Sequence, residues 1–215
     1  EHAPRTAAWK AGQPPDPVGR FAQEPILSHH MANPVEREVK LRYRSPPDAR
    51  TAILRAGAVS WRPRRLQSDR LLDRETDPLQ HRRCTLRVRV DGDRAFVTFK
   101  GAPQPSTMKV REELETSVGD GAVLVQLCER LGFHVWFRYE KYREEFTRGD
   151  LVIALDESPI GTFVELEGSS EDILRMAEDL GRPPADFLTD SYHALFEQHR
   201  AAHRSTAQHM VFGVS

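Results

Sequence analysis

Val35-Glu36-Arg37-Glu38-Val39-Lys40-Leu41-Arg42-Tyr43 is the stretch on which the fold turns. Its period is two. Val35, Val39, Leu41 and Tyr43 point one way, and Glu36, Glu38, Lys40 and Arg42 point the other, because successive side chains of a strand leave opposite faces. The polar face sets two acids and a base in a row, about 7 Å apart along the strand.

The same pattern recurs outward from this stretch. Pro46-Pro47-Asp48 opens a short helix that Gly57 ends, and residues 59–72 form a second extended run. Leu86, Val88 and Val90 alternate with Arg87 and Arg89, Asp91-Gly92-Asp93 turns, and residues 95–100 return as a hairpin. Residues 108–118 alternate again, with Lys109, Arg111, Glu113 and Glu115 sharing a face. Residues 119–131 read as an amphipathic helix stopped by Gly132. A long strand over 133–146 carries Lys141 and Arg143 on one side, and turns at Gly149 and Gly161 lead into strands over 151–156 and 162–167. Ser169 caps a helix ending near Gly181, and a final helix is expected over 185–200. Strands outnumber helices and the links are short, so the class is α+β with antiparallel neighbours. Residues 1–32, scattered with prolines and without period, are expected to be a disordered extension or sequence foreign to the fold. The domain is expected over 33–200, with 201–215 as a C-terminal tail.

Like charges held side by side need a partner. Either these faces look at solvent, where screening makes repulsion cheap, or they converge inside a barrel. In the second case the acids suit a hard cation such as Mg²⁺ or Mn²⁺, and the lysines and arginines suit phosphate oxygens. Acids and bases alternating along one cavity fit a metal-bound polyphosphate.

Composition narrows the field. The 215 residues carry 31 Lys+Arg against 32 Asp+Glu, a net charge of -1, which disfavours a globally basic nucleic-acid binder. No apolar run approaches the ~20 residues of a membrane-spanning helix. Two cysteines, Cys84 and Cys128, make no Cys-x-x-Cys pair, so the expected setting is a reducing cytoplasm. Trp61, Trp136 and Phe137 are read as packing residues. Arg62, Arg64 and Arg65 are read as surface. His81, His134 and His193 lack metal-ligand spacing.

Glu36-Arg37-Glu38-Val39-Lys40 resembles the Glu-x-Glu-x-Lys signature of the CYTH superfamily, the triphosphate tunnel metalloenzymes. It is followed in order by Leu86-Arg87-Val88-Arg89, Thr98-Phe99-Lys100-Gly101, Val110-Arg111-Glu112-Glu113-Leu114-Glu115, Lys141-Tyr142-Arg143, Leu155-Asp156 and Gly161-Thr162-Phe163-Val164-Glu165-Leu166-Glu167. The resemblance spans residues 35–195. It implies an antiparallel eight-stranded tunnel barrel with flanking helices, and Mg²⁺ or Mn²⁺ as cofactor. Glu36, Glu38, Asp156, Glu165 and Glu167 match its metal-side carboxylates. Lys40, Arg87, Arg89, Lys100, Lys141 and Arg143 match its phosphate-binding bases. Glu36, Glu38 and Lys40 would carry the chemistry itself, and Glu113 and Glu115 form a further acidic pair. Arg111 is set aside as a salt-bridge partner. The region 186–200 lacks the helical lysine that some family triphosphatases place near the tunnel mouth; Tyr192, His193 and Arg200 are the candidates to stand there.

The resemblance implies a small-molecule triphosphate as partner, and the charge balance and the lack of a long apolar run point away from nucleic acid and membrane. The expected activity is metal-dependent hydrolysis of a linear triphosphate. The competing readings are an adenylyl cyclase of class IV type and a non-catalytic polyphosphate- or nucleotide-binding module. The intact Glu36/Glu38 and Glu165/Glu167 pairs speak against the module, which needs only the bases.

Overall fold

Strands that alternate apolar and charged residues can bury both faces if the sheet closes, with the apolar side under helices and the charged side within. The computed structural model, which describes residues 35–213, has this architecture. Eight strands follow one another: β1 (Val35–Tyr43), β2 (Val59–Arg74), β3 (Thr85–Asp91), β4 (Arg94–Lys100), β5 (Lys109–Val118), β6 (Phe133–Arg148), β7 (Leu151–Ser158) and β8 (Gly161–Glu167). They close in the order β1-β5-β4-β3-β2-β6-β7-β8, antiparallel throughout. The expected eight-stranded antiparallel barrel is therefore borne out. Among the described residues no helix is long and apolar enough to cross a membrane.

Each helix begins at a side-chain cap that satisfies an open backbone N–H. Ser45 caps α1 (Pro46–Arg55), Asp120 caps α2 (Gly121–Arg130), Ser169 caps α3 (Ser170–Asp179) and Ser191 caps α4 (Tyr192–His203). Helices α1 and α3 cover the outward faces of β1, β7 and β8, where Val39, Leu41, Ile153, Leu155, Val164 and Leu166 pack on Ile53, Ile173 and Met176. Helix α2 lays Val125 over Leu72 and Val88. The hairpin between β3 and β4 turns on Gly92, whose φ of 63° lies where a side chain is disfavoured.

Helix α4 packs differently. Phe137 and Tyr139 continue the inward face of Lys141 and Arg143, and Phe163 continues that of Glu165. Onto these rings α4 lays Tyr192, Leu195 and Phe196. It thus covers the inward side of the barrel at one end.

One expectation about the C-terminal part is corrected. The final helix does not begin at residue 185. A short 3-10 turn, Pro184–Asp186, is followed by extended chain, because Leu188 exchanges both backbone hydrogen bonds with Lys40 at 2.9 Å. The described residues beyond 200 also pack on the barrel. Helix α4 continues to His203, and Met210, wholly buried, bonds through its backbone to Arg138 and Glu140 of β6. Arg65 also departs from a surface reading: it grips Asp91 at 2.6 Å and Glu145 at 2.6 Å. Residues 1–32, expected as an extension, lie outside the described residues.

The long link from β2 to β3 is pinned by buried Asp73, whose carboxylate accepts from the backbone N–H groups of Arg74, Leu79 and Gln80 and from the Gln80 amide. Burial works against the charge, but these donors outweigh it and hold the carboxyl below its ordinary value. A depressed folded-state pKa stabilises above the unfolded value and loses that contribution as pH falls through the folded one. Replacing Asp73→Ala should cost about 1–3 kcal/mol in urea unfolding at neutral pH, a gap that narrows as the solution is acidified below the carboxylate range.

Candidate active site

Register decides which charges meet. β1 lies between β5 and β8, with Glu36 opposite Arg111, Glu38 opposite Lys109 on one side and Glu167 on the other, and Lys40 opposite Glu165. Around the barrel, Lys100 faces Glu113, Thr98 faces Glu115, Arg87 faces Thr98, Asp69 faces Arg89, and Arg143 faces Asp156. Each of these residues shares its strand's inward parity. A buried charge is tolerated only when paired and hydrogen-bonded, and here the inward charges pair with one another.

Three groups of contacts result. Glu36 takes Lys100 at 2.8 Å and Arg111 at 3.1 Å, while Glu38 takes Lys109 at 2.5 Å and Lys40 at 2.8 Å on the same oxygen. Arg87 meets Glu115 at 3.2 Å and Glu113 at 3.8 Å, and Asp69 holds Arg89 at 2.8 Å and Arg87 at 3.5 Å. Asp156, wholly buried, accepts Arg143 Nε at 2.7 Å, Arg143 Nη2 at 2.6 Å, Lys141 at 2.8 Å and the Tyr192 hydroxyl at 2.6 Å. Glu165 bonds Arg143 and lies 3.4 Å from Lys40.

The electrostatics follow from this crowding. Burial alone would raise Glu38 and Glu165, but the ammonium groups of Lys109 and Lys40 on the first, and of Lys141 and Lys40 on the second, hold both well below the usual carboxylate range. Burial brings Lys141 down to about 8, helped by the neighbouring Arg143, and Lys109 down to about 8, helped by Lys40 and Arg111. Glu167 is the exception among the acids. Burial and the nearby Glu36 and Glu113 push its carboxyl up to about 8. Among the described residues no lysine or arginine stands within ion-pair distance of it.

The residues present suit a divalent metal in chemistry. Glu36, Glu38 and Glu167 are hard oxygen donors on two adjacent strands, and Glu167 lacks the cation that the other acids have. Among the described residues no three carboxylate, imidazole or thiol groups already surround one point, since Lys100, Lys109 and Lys40 hold Glu36 and Glu38. Asp156, grouped by the sequence with the metal-side acids, makes its four hydrogen bonds to Arg143, Lys141 and Tyr192.

All the sequence-selected strand positions thus lie on the inward face of one barrel, while Tyr192, His193 and Arg200 belong to α4. Sequence reasoning missed Lys109 and Asp69. Lys109 was already visible on the charged face of 108–118, but it precedes the family motif. Asp69 sits inward two residues after Gln67, a period-two signal in β2 that a search for charge pairs passes over.

The CYTH domain profile matches residues 35–192, most of the chain. The chain belongs to the CYTH family. A relative in Methanocaldococcus jannaschii, named "Putative adenylate cyclase", is 35% identical over 101 residues, which cover 46% of this CYTH chain and 54% of that protein. The chain thus matches about half the length of this curated relative. A Vibrio parahaemolyticus structure carrying the same kind of name aligns with a TM-score of 0.66 at 19% identity, over 75% of this chain and 97% of that one. A Hippeastrum structure, described as a "putative adenylyl cyclase" that reveals a dominant triphosphatase activity, aligns with a TM-score of 0.57 at 17% identity, over 76% and 95%. At these identities the two structures share the CYTH fold.

Glu167 gives the site a pH signature. An acid whose folded-state pKa is raised above the unfolded value favours folding at low pH and loses that advantage as pH rises through the interval. In a metal chelator, Glu167→Gln should therefore be more stable than the parent by ~1–3 kcal/mol at pH 8, a tenfold change in proton affinity being worth about 1.4 kcal/mol. Urea melts should find the difference vanishing towards pH 5.

Proposed function

We propose that this protein hydrolyses a linear triphosphate, inorganic or carried on a small organic group, with Mg²⁺ or Mn²⁺. The observation that carries the reading is the closed ring of buried charge. Buried ion pairs are weak devices for stability, since apolar residues of similar volume serve as well or better. A ring of such pairs on the inward face of one barrel is explained by a ligand that carries both charges, a polyanion with its cation.

Binding is then an exchange of partners. Arg87, Arg89, Lys100, Lys141 and Arg143, with Lys40, turn from internal carboxylates to phosphate oxygens, the arginines through two-pronged donor forks. Glu36, Glu38 and Glu167 would hold the metal, with Glu165 beside them. When bound, the metal polarises a phosphoryl oxygen and acidifies a water. Asp156 keeps Lys141 and Arg143 aimed. Burial strengthens every contact to the charge that develops on the transferred group. Water attacks the terminal phosphorus in line, the anhydride bond breaks, and phosphate leaves from the shortened chain. The activity described for the Hippeastrum protein supports this reading. The name of the Methanocaldococcus relative favours a second one, cyclisation of ATP by its own ribose oxygen with loss of pyrophosphate.

Purified protein given tripolyphosphate, thiamine triphosphate and ATP, with each metal in turn, separates the two. Phosphate release from tripolyphosphate should exceed cyclic AMP formation. Efficient cyclisation with negligible tripolyphosphate hydrolysis overturns the order, and binding without turnover overturns both.

The charges should divide their labour. Glu38→Gln should lower turnover and be partly restored by extra metal, whereas Arg89→Ala should weaken substrate binding and resist such rescue. Each loses a charge-assisted contact worth on the order of 2–4 kcal/mol, or roughly 30- to 1,000-fold in kcat/KM. Steady-state kinetics at limiting metal and at limiting substrate distinguish the two effects.

A further inference from the structure

Tyr192 occupies a place that no charged motif explains. It is the first residue of α4, buried, and the Ser191 cap sets the start of that helix through the Ala194 N–H. The chain just before it is tied to the wall by the backbone exchange between Leu188 and Lys40. Its hydroxyl donates to Asp156 Oδ2 at 2.6 Å, the oxygen that also accepts Lys141 at 2.8 Å and Arg143 Nη2 at 2.6 Å. Its ring lies under two ammonium groups, Lys141 at 4.7 Å and Lys40 at 5.6 Å from the centroid. Tyr139 and Phe163 pack against the ring at 5.7 Å each and fix its plane.

We propose that Tyr192 is a positioning residue of the anion site: its hydroxyl fixes Asp156 and its ring face supports Lys141 and Lys40, so that Lys141 and Arg143 meet the ligand as one preorganised unit. The inference rests on the triphosphate reading and adds the element that reading lacks, a link from the C-terminal helix to the phosphate-gripping bases. Without the hydroxyl, Asp156 retains its two cations but loses the contact that stops it swinging with them. The bases must then be ordered at the moment of binding, and affinity falls by that cost. Removing the ring also removes a cation–π contact from two buried ammonium groups.

Tyr192→Phe isolates the hydroxyl, and Tyr192→Leu removes the ring face as well. Titration calorimetry with tripolyphosphate in a metal chelator should find the dissociation constant of the Phe variant raised roughly tenfold, the loss of one hydrogen bond to a charged group. The Leu variant should be weaker again by a few-fold. With metal present, KM for tripolyphosphate should rise in step while kcat changes by less than about twofold, because the hydroxyl acts on binding through Lys141 and Arg143. Phe196→Leu, which loosens the same apolar packing without touching Asp156, should bind like the parent. Melting curves establish that each variant is folded; if the Leu variant is not, the Phe variant decides alone. A Phe variant that binds like the parent, or one that loses kcat with KM unchanged, overturns the role of Tyr192. A parent that binds no tripolyphosphate overturns the anion site itself, and this role with it.

Discussion

Mutual neutralisation of buried charge across the barrel is the constraint from which the rest follows. A carboxylate or ammonium taken from water costs several kcal/mol unless a partner of opposite sign stands within hydrogen-bond reach. The inward face of this barrel therefore exists only because register places an acid beside a base at nearly every level: Glu36 by Arg111, Glu38 by Lys109, Lys40 by Glu165, Lys100 by Glu113, Arg143 by Asp156. A slip of one residue in any strand would send its charges outward and its apolar side chains inward. Electrostatics and the outer apolar core thus specify the same register.

The same pairing makes the site self-inhibited. Each base that could hold an anion already holds a carboxylate, and Glu36 and Glu38 already hold ammonium groups. In the proposed reading metal and polyanion would therefore relieve one another: a cation taking Glu36 and Glu38 would release Lys100, Lys109 and Lys40, and an anion taking those bases would release the acids. Such reciprocity couples the two ligands thermodynamically without requiring any movement of the strands.

What could be read from the sequence was local. The period of two in β1, the β3–β4 hairpin and the Arg111–Glu115 face are each set within about ten residues, and they place the charges on one face by local pattern alone. What could not be read was long-range. Helix α4 begins at Tyr192 because Leu188 pairs with Lys40, nearly 150 residues earlier in the chain. Met210 is buried because it meets β6, a contact with no local signal. Asp156 looks like one more carboxylate in sequence, and only the convergence of Lys141, Arg143 and Tyr192 on it reveals an anchor for cations. Lys109 became part of the site through Glu38 on a different strand.

The strand order also has a temporal meaning. β1 bonds to β5 and β8, never to β2, so the earliest of the described strands has no hydrogen-bonding neighbour in the barrel until β5 has been made. The middle strands can zip as successive hairpins, but closure waits for β8, and joining distant strands carries the loop entropy of everything between them. Until that moment β1 keeps one edge unpaired, and the charges of Glu36, Glu38 and Lys40 beside it are a feature that keeps edges from sticking to other chains. The residues proposed to hold the ligand thus first serve as the chain's protection against its own kind.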